Sequence, residues 1–383
     1  MVETVEPKTK KKQRVNLVAY FFLSGILTAS WSSRIPDVQH KLKLSNAALG
    51  TVLFAIPVGL ITGLAVASWL VASFGAKKVM WTSCCVCALF LALAGISSSV
   101  PVLMLALFFM GTARTIFNLA ANTGAIEVQQ LYKRPIVSFF HGTWSLACFV
   151  AAGMGTVAIV LGVLPATHFC VIALVVVLLA VLLAGRNNNY QRGTENRPFF
   201  MAPDNYLLLL GLTALCAMLC EGAVFDWSVN YFEKVVKAGK SLRTAGYLSF
   251  IITMATGRLV GDRLIHLFGV YRLLLANGIL MSAGFLIAAL FPFVFSAAFG
   301  FLLIGAGSSI LVPVVYLLAA KSKKMSPGYA LSSVTLIGYT GFLIGPLLIG
   351  NISEKLGMNY AFFLLCGVSL LIVVLSLQVK KFA

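Results

Sequence analysis

The sequence predicts an all-α integral membrane protein of twelve transmembrane helices, arranged as two pseudo-symmetric six-helix bundles. Three observations lead there. The 383 residues are 60% hydrophobic and 10% charged, with a mean hydropathy of +0.96, which is more apolar side chain than a water-soluble chain can bury. Apolar runs of about the 20 residues that a helix needs to cross a bilayer recur along the whole chain. A single long polar interruption in the middle, RNNNYQRGTENRPFFMAPDN from Arg186 to Asn205, divides it into halves that resemble each other.

Residues 1–14 form a basic tail carrying Lys8, Lys10, Lys11, Lys12 and Arg14. The run that follows, 15–34, is longer than the core of a secretory signal, about 7 to 15 residues, and passes through Trp31 without a small-residue cleavage site. It is therefore span 1. Spans 2 to 12 follow at 46–71, 79–99, 101–127, 136–164, 166–185, 205–232, 244–268, 272–292, 294–320, 327–353 and 358–379. Residues 15–185 are thus expected to form an N-terminal six-helix bundle and 205–379 a C-terminal one. A linker, 186–204, joins them, and 380–383 is a short tail.

Orientation follows from lysine and arginine, which are in excess in cytoplasmic loops. With the N-terminus inside, the Lys8–Arg14 cluster, Lys77, Lys78, Lys133, Arg134, Arg186, Arg192, Arg197, Arg272, Lys321, Lys323, Lys324, Lys380 and Lys381 are cytoplasmic. Outside or at that edge fall Arg34, Lys41, Lys43, Lys234, Lys237, Lys240, Arg243 and Lys355, while Arg114, Arg258 and Arg263 lie within spans. Both termini and the linker are expected in the cytoplasm, and a count wrong by one span would scramble this asymmetry.

The halves match at four places in order. Ser30, Trp31 and Ser32 align with Asp226, Trp227 and Ser228 at an offset of 196; Phe74 and Gly75 align with Phe268 and Gly269 at 194. Gly111 aligns with Gly305 at 194, and Gly142 with Gly338 at 196. Duplication of a six-helix unit accounts for all four.

Several classes are excluded. The net charge of +18 sits in short clusters between apolar runs, with no basic helix or aromatic-interleaved patch to hold nucleic acid. All eight cysteines lie inside apolar runs, where they behave as small hydrophobes. Cys216 and Cys220 share a helix face, but no second pair or histidine stands at metal-ligand spacing, so neither metal nor cofactor is expected. No stretch matches the GxxxxGK[ST] phosphate loop.

Over essentially its whole length the chain resembles the major facilitator superfamily. That family's signature between spans 2 and 3 survives in part as SWLVASFGAKK, Ser68 to Lys78, with Ala72 where an Asp is expected. The second copy, GRLVGDRLIHLFG, keeps Arg258, Asp262 and Arg263 but has His266 at the expected acid. The strings SWSSRIP, FHGTWS, EGAVFDW and GYTGFLIGPLLIG resemble the fucose-permease-like and MosC-like branch. The resemblance implies that spans 1, 4, 7 and 10 line a central cavity, that 3, 6, 9 and 12 face lipid, and that the solute is small and polar, a sugar or sugar derivative among the candidates. Spans 3, 6, 9 and 12 have no charged residue in their central parts, as lipid exposure demands.

Candidate site residues follow from depth and face. Arg114 lies roughly 20 Å along span 4, near the midplane, with Asn118 and Asn122 at spacing four on the same face. This stripe reads either as a substrate-binding surface or as hydrogen-bonded glue between helices. Glu221 lies roughly 24 Å along span 7, with Asp226 nearer its outer edge. If Glu221 and Arg114 face each other, substrate on Arg114 leaves Glu221 to take up a proton; the alternative is a permanent ion pair. His141 reads as a proton relay or a packing histidine. Trp31 and Trp227 either stack on a ring-shaped solute or anchor the interface. Tyr339 either donates to a substrate hydroxyl or is satisfied inside the bundle. Arg34 with Asp226 is the expected outer gate, and Gly338, Gly341, Gly345, Pro346 and Gly350 mark span 11 as a close-packed helix that bends, with Gly345 and Pro346 as its gate hinge.

Together these point to a secondary active transporter, a proton symporter working by alternating access as a monomer in the inner (plasma) membrane. The alternatives are a membrane-embedded enzyme, for which no Ser/His/Asp or metal constellation is present, and a channel, which clustered buried charge on spans 4 and 7 disfavours.

Overall fold

The computed structural model describes residues 7–132, 136–184, 203–322, 325 and 327–381. Most of the linker, with Arg186, Arg192 and Arg197, and the basic residues Lys133, Arg134, Lys323 and Lys324 lie outside them. The described chain is helical: α1 (Pro7–Ser33), α2 (Ile35–Lys41), α3 (Asn46–Leu53), α4 (Ala55–Phe74), α5 (Ala76–Ile96), α6 (Val100–Gln130), α7 (Val137–Val160) and α8 (Pro165–Ala184) belong to the first half. The second half contains α9 (Asn205–Lys234), α10 (Ala245–Phe268), α11 (Val270–Leu290), α12 (Val294–Ser308), α13 (Leu311–Ala319), α14 (Pro327–Lys355) and α15 (Met358–Lys381).

These helices make twelve spans. Eleven are long and apolar enough to cross a membrane. The twelfth, α10, has 24 residues and carries Arg258, Asp262 and Arg263 toward its end. Helices are the outcome the solvent imposes, because backbone groups in hydrocarbon have only their own helix to bond with.

Span 2 is α3 followed by α4, and span 10 is α12 followed by α13. Proline explains both interruptions. A proline has no N–H to give the carbonyl four residues earlier, and its ring crowds that carbonyl. Pro57 disturbs the ladder at Leu53, where α3 ends, and Pro313 disturbs it at Ser309, just past the end of α12.

The duplication is visible in backbone geometry. Gly75 (φ 82°, ψ 144°) breaks α4 from α5, and Gly269 (φ 75°, ψ 157°), 194 positions later, breaks α10 from α11. A Cβ at either would meet nothing, so it is the left-handed φ that calls for glycine there. Gly111 of α6 sits on the backbone of Ile56 in α4, and Gly305 of α12 on the backbone of Phe250 in α10, again 194 positions apart in both partners. The same helix pair therefore meets through the same glycine in each half.

Packing divides the chain into Met1–Trp31 with Ala55–Glu195, and Ser32–Phe54 with Asn196–Ala383. The helix repeat assigns 32–54 to the first bundle, yet this segment packs with the second. Gly50 of α3 lies on the Pro346 carbonyl of α14, and a Cβ at Gly350 would meet the Asn46 carbonyl at 2.8 Å. Such close approach is possible only because both faces carry glycine.

Lipid-facing character falls where expected on α8, with Leu174, Val175, Leu178 and Leu182 exposed. On α15, Leu370, Val374 and Leu377 are exposed. An apolar side chain gains nothing from burial when the solvent is itself hydrocarbon.

Candidate functional site

Within the second unit, Glu221 of α9 occupies the centre of a polar cluster at membrane depth. One Glu221 carboxylate oxygen lies 3.3 Å from an Arg258 guanidinium nitrogen of α10, and the other accepts from the Ser308 hydroxyl of α12 at 3.3 Å. Arg258 Nε also donates to the Ser309 carbonyl at 3.4 Å. That carbonyl is the one left without a helical donor by Pro313. A single ion pair, only 12% and 20% exposed, thus joins α9, α10 and the broken end of α12. Tyr316 of α13 lies within electrostatic reach of both Glu221 and Tyr339.

Within its own unit the guanidinium paired with Glu221 is Arg258. Arg258 belongs to the second copy of the span 2–3 signature, and this sequence context masks its role toward α9. Ser308 and the Ser309 carbonyl were also missed, although Pro313 inside an apolar run was a visible signal for that carbonyl.

In the first unit, Arg114 borders a small cavity with Ser24, Leu27, Thr28, Cys84, Cys87 and Phe117. Asn118, one turn along α6, is exposed, and Arg114 and Asn122 are half-buried. Among the described residues none of the three makes a hydrogen bond or ion pair. Of the three, Asn118 is the most exposed.

The other candidates are placed as follows. Trp31 is 3% exposed and tilts against Phe169 at 6.0 Å; Trp227 is 0% exposed. Each indole is enclosed by packing in this conformation. His141 is half-buried, edge-on to Phe21 at 5.4 Å. Tyr339 is half-buried and tilted against Phe342 at 6.2 Å. On α14 the close approach is at Gly341, where a Cβ would run into the Leu215 carbonyl and meet Leu219 N at 2.9 Å. At Gly345 the nearest atoms stand at 3.8 and 3.9 Å, so that glycine is not a contact point. Pro346 marks where α3 crosses α14.

The segment from Arg34 to Asn46 forms a second polar cluster, in the same unit as α9 and α14. Arg34 pairs with Asp37 at 2.5 Å, and Arg243 lies 3.9 Å from Asp37 and 3.1 Å from Glu233. The imidazole of His40 lies 3.0 Å from Glu233. Asp226, the partner expected for Arg34, is half-buried on α9; Arg34 also pairs within its own segment, with Asp37. Beside these, Lys234 donates to Gln39 Oε1 at 2.8 Å and to Asn46 Oδ1 at 2.7 Å, Asn230 donates to Gln39 at 2.9 Å, and Glu354 accepts from the Asn46 backbone N–H at 2.8 Å.

Burial raises the Asp37 pKa above the ordinary aspartate value, against the pull of Arg34 and Arg243. An acid whose folded pKa is raised binds more protons folded than unfolded, so its contribution declines as pH climbs from the ordinary value through the raised one. Replacing Gln39 by Ala should leave Lys234 and Asn230 short of an acceptor and cost about 1–3 kcal/mol, read as a lower Tm in detergent. An unchanged Tm would mean that this cluster does not hold 32–54 in place.

A family model described as Major Facilitator Superfamily matches residues 17–325. The chain is 31% identical over 353 residues to an MFS-type transporter of Yersinia pestis, covering 91% of each. It is 27% identical over 369 residues to the membrane protein MosC of Rhizobium meliloti, covering 94% of this chain and 89% of that one. The crystal structure of the MFS transporter FucP in the outward conformation superposes with a TM-score of 0.66 at 18% identity, covering 95% and 98% of the two chains. With a duplicated twelve-helix fold, charged residues held inside its spans and a family match over most of its length, the chain belongs to the major facilitator superfamily and is a membrane transporter.

Proposed function

We propose that this transporter is a secondary active carrier that moves a small polar solute by alternating access and couples it to protons, with Glu221 as the proton carrier. The observation that supports the reading is the Glu221–Arg258 pair, a charge pair spent deep in the membrane on α9 and α10. Buried acids of this kind are costly and mark ion pathways. Protonation of Glu221 removes its charge, weakens the hold on Arg258 and loosens α10 and α12 from α9, so protonation and helix movement become one event. The stripe Arg114, Asn118 and Asn122 receives the solute, with Tyr339 as a further donor and His141 as a relay toward the cytoplasm. The cluster from Arg34 to Asn46 with Glu233, Lys234, Arg243 and Glu354 is the outer gate. The lysine and arginine distribution supports an inner-membrane protein with both termini cytoplasmic.

The test is counterflow in proteoliposomes, using a radiolabelled sugar or sugar derivative that stabilises the purified protein against heat. Exchange against preloaded solute, enhanced uptake on acidifying the outside, and loss of solute stabilisation in Arg114→Gln are expected. A charged hydrogen bond contributes about 1.5–3 kcal/mol, so affinity should fall about tenfold or more. A solute that stabilises the protein yet shows no counterflow would overturn the carrier reading.

A further inference from the structure

A groove of about 340 Å³ runs between α4, α5 and α6 of the first unit. It extends along α5 from Lys78 to Val86 and along α6 from Phe109 to Ile116, with Leu70 and Phe74 on the α4 side. Eight residues of helix make that about 12 Å of length. Its polar lining is already satisfied: Thr82 Oγ1 donates to the Lys78 carbonyl at 2.8 Å, Ser83 Oγ to the Val79 carbonyl at 2.5 Å, and Thr112 Oγ1 to the Phe108 carbonyl at 3.0 Å. What remains facing the groove is hydrocarbon. A polar solute finds no donor there, whereas an acyl chain loses nothing by entering.

The mouth has the opposite character. Gly75 turns the chain between α4 and α5 with its positive φ, which sets Lys78 in the first turn of α5 at the groove's end. Lys78 is exposed, its ammonium 5.4 Å from the Phe74 ring centroid, and Lys77 stands beside it in sequence. Neither α4 nor α5 contains an aspartate or glutamate, since the position expected to carry an acid is Ala72. A lysine on two helices that contain no acid, at the end of an apolar slot and at the level where a spanning helix begins, is complementary to a phospholipid with a net negative headgroup.

We propose that this groove is a binding site for an anionic phospholipid, one acyl chain lying along α5 and α6 and the headgroup phosphate on Lys78. Each lysine near a membrane surface contributes about 1 kcal/mol toward anionic lipid, so the site should favour phosphatidylglycerol over phosphatidylcholine about fivefold through Lys78 alone. The occupant is structural or regulatory, and is distinct from the transported solute.

The experiment titrates the delipidated, full-length protein with dioleoyl-phosphatidylglycerol or dioleoyl-phosphatidylcholine and counts retained lipid by native mass spectrometry. Wild type should retain phosphatidylglycerol preferentially. Lys78→Gln should lower that preference about fivefold without changing phosphatidylcholine retention, and Val86→Trp, which fills the groove, should lower retention of both. Equal retention of the two lipids by wild type, or an unchanged preference in Lys78→Gln, would overturn the proposal. Lys78 is exposed, so its replacement does not endanger folding.

Discussion

Glu221→Gln is expected to abolish pH-driven accumulation of solute while leaving counterflow intact. The amide keeps the shape of the side chain and an oxygen that accepts from Ser308 and Arg258, so the fold around α9, α10 and α12 persists. It can neither lose nor gain a proton at neutral pH, so the step that ties proton binding to release of Arg258 disappears. Uptake under an inward proton gradient should fall to the level reached by exchange alone. A variant that still concentrates solute under that gradient would exclude Glu221 as the coupling group. Loss of counterflow as well would instead assign the Glu221–Arg258 pair a purely structural role in holding the second unit together.

The second large effect is expected at Gly341. A leucine there has to pass through the Leu215 carbonyl and the Leu219 amide, which belong to the backbone of α9 and cannot rotate away as a side chain would. Overpacking of this kind costs about 3 kcal/mol, and thermal unfolding in detergent should show a large fall in Tm or no folded protein. Gly345→Ala is the control. Its nearest neighbours stand at 3.8 and 3.9 Å, and alanine is a better helix former by about 1 kcal/mol, so stability should hold or rise. If Gly341→Leu matched wild type in Tm, α14 and α9 would not be in backbone contact.

The contrast between these two glycines shows why only part of the site was legible. Gly338, Gly341 and Gly345 read alike in the sequence, as small residues on one apolar helix. Which of them meets α9 depends on the rotation of α14 about its axis, and no property of the string itself specifies that. Arg114, Asn118 and Asn122 were more legible, because spacing four fixes a common face and the run length fixes depth. How far each is exposed was not, because that depends on what the rest of the first unit leaves uncovered.

By itself the sequence determined the class, the twelve spans and the duplication. The bilayer explains this: it permits no unbonded backbone in its interior, so an apolar run of sufficient length has one available structure. Spacing could also place each charge at a depth and on a face. Tertiary structure alone decided the neighbours: that Glu221 meets Arg258, 37 positions away, that Arg34 sits on Asp37, and that residues 32–54 pack with the second unit. Those outcomes depend on glycine contacts between helices and on two prolines that free or displace carbonyls. Their effect is settled only when the helices are packed, since a carbonyl left bare by Pro313 says nothing about which donor will reach it.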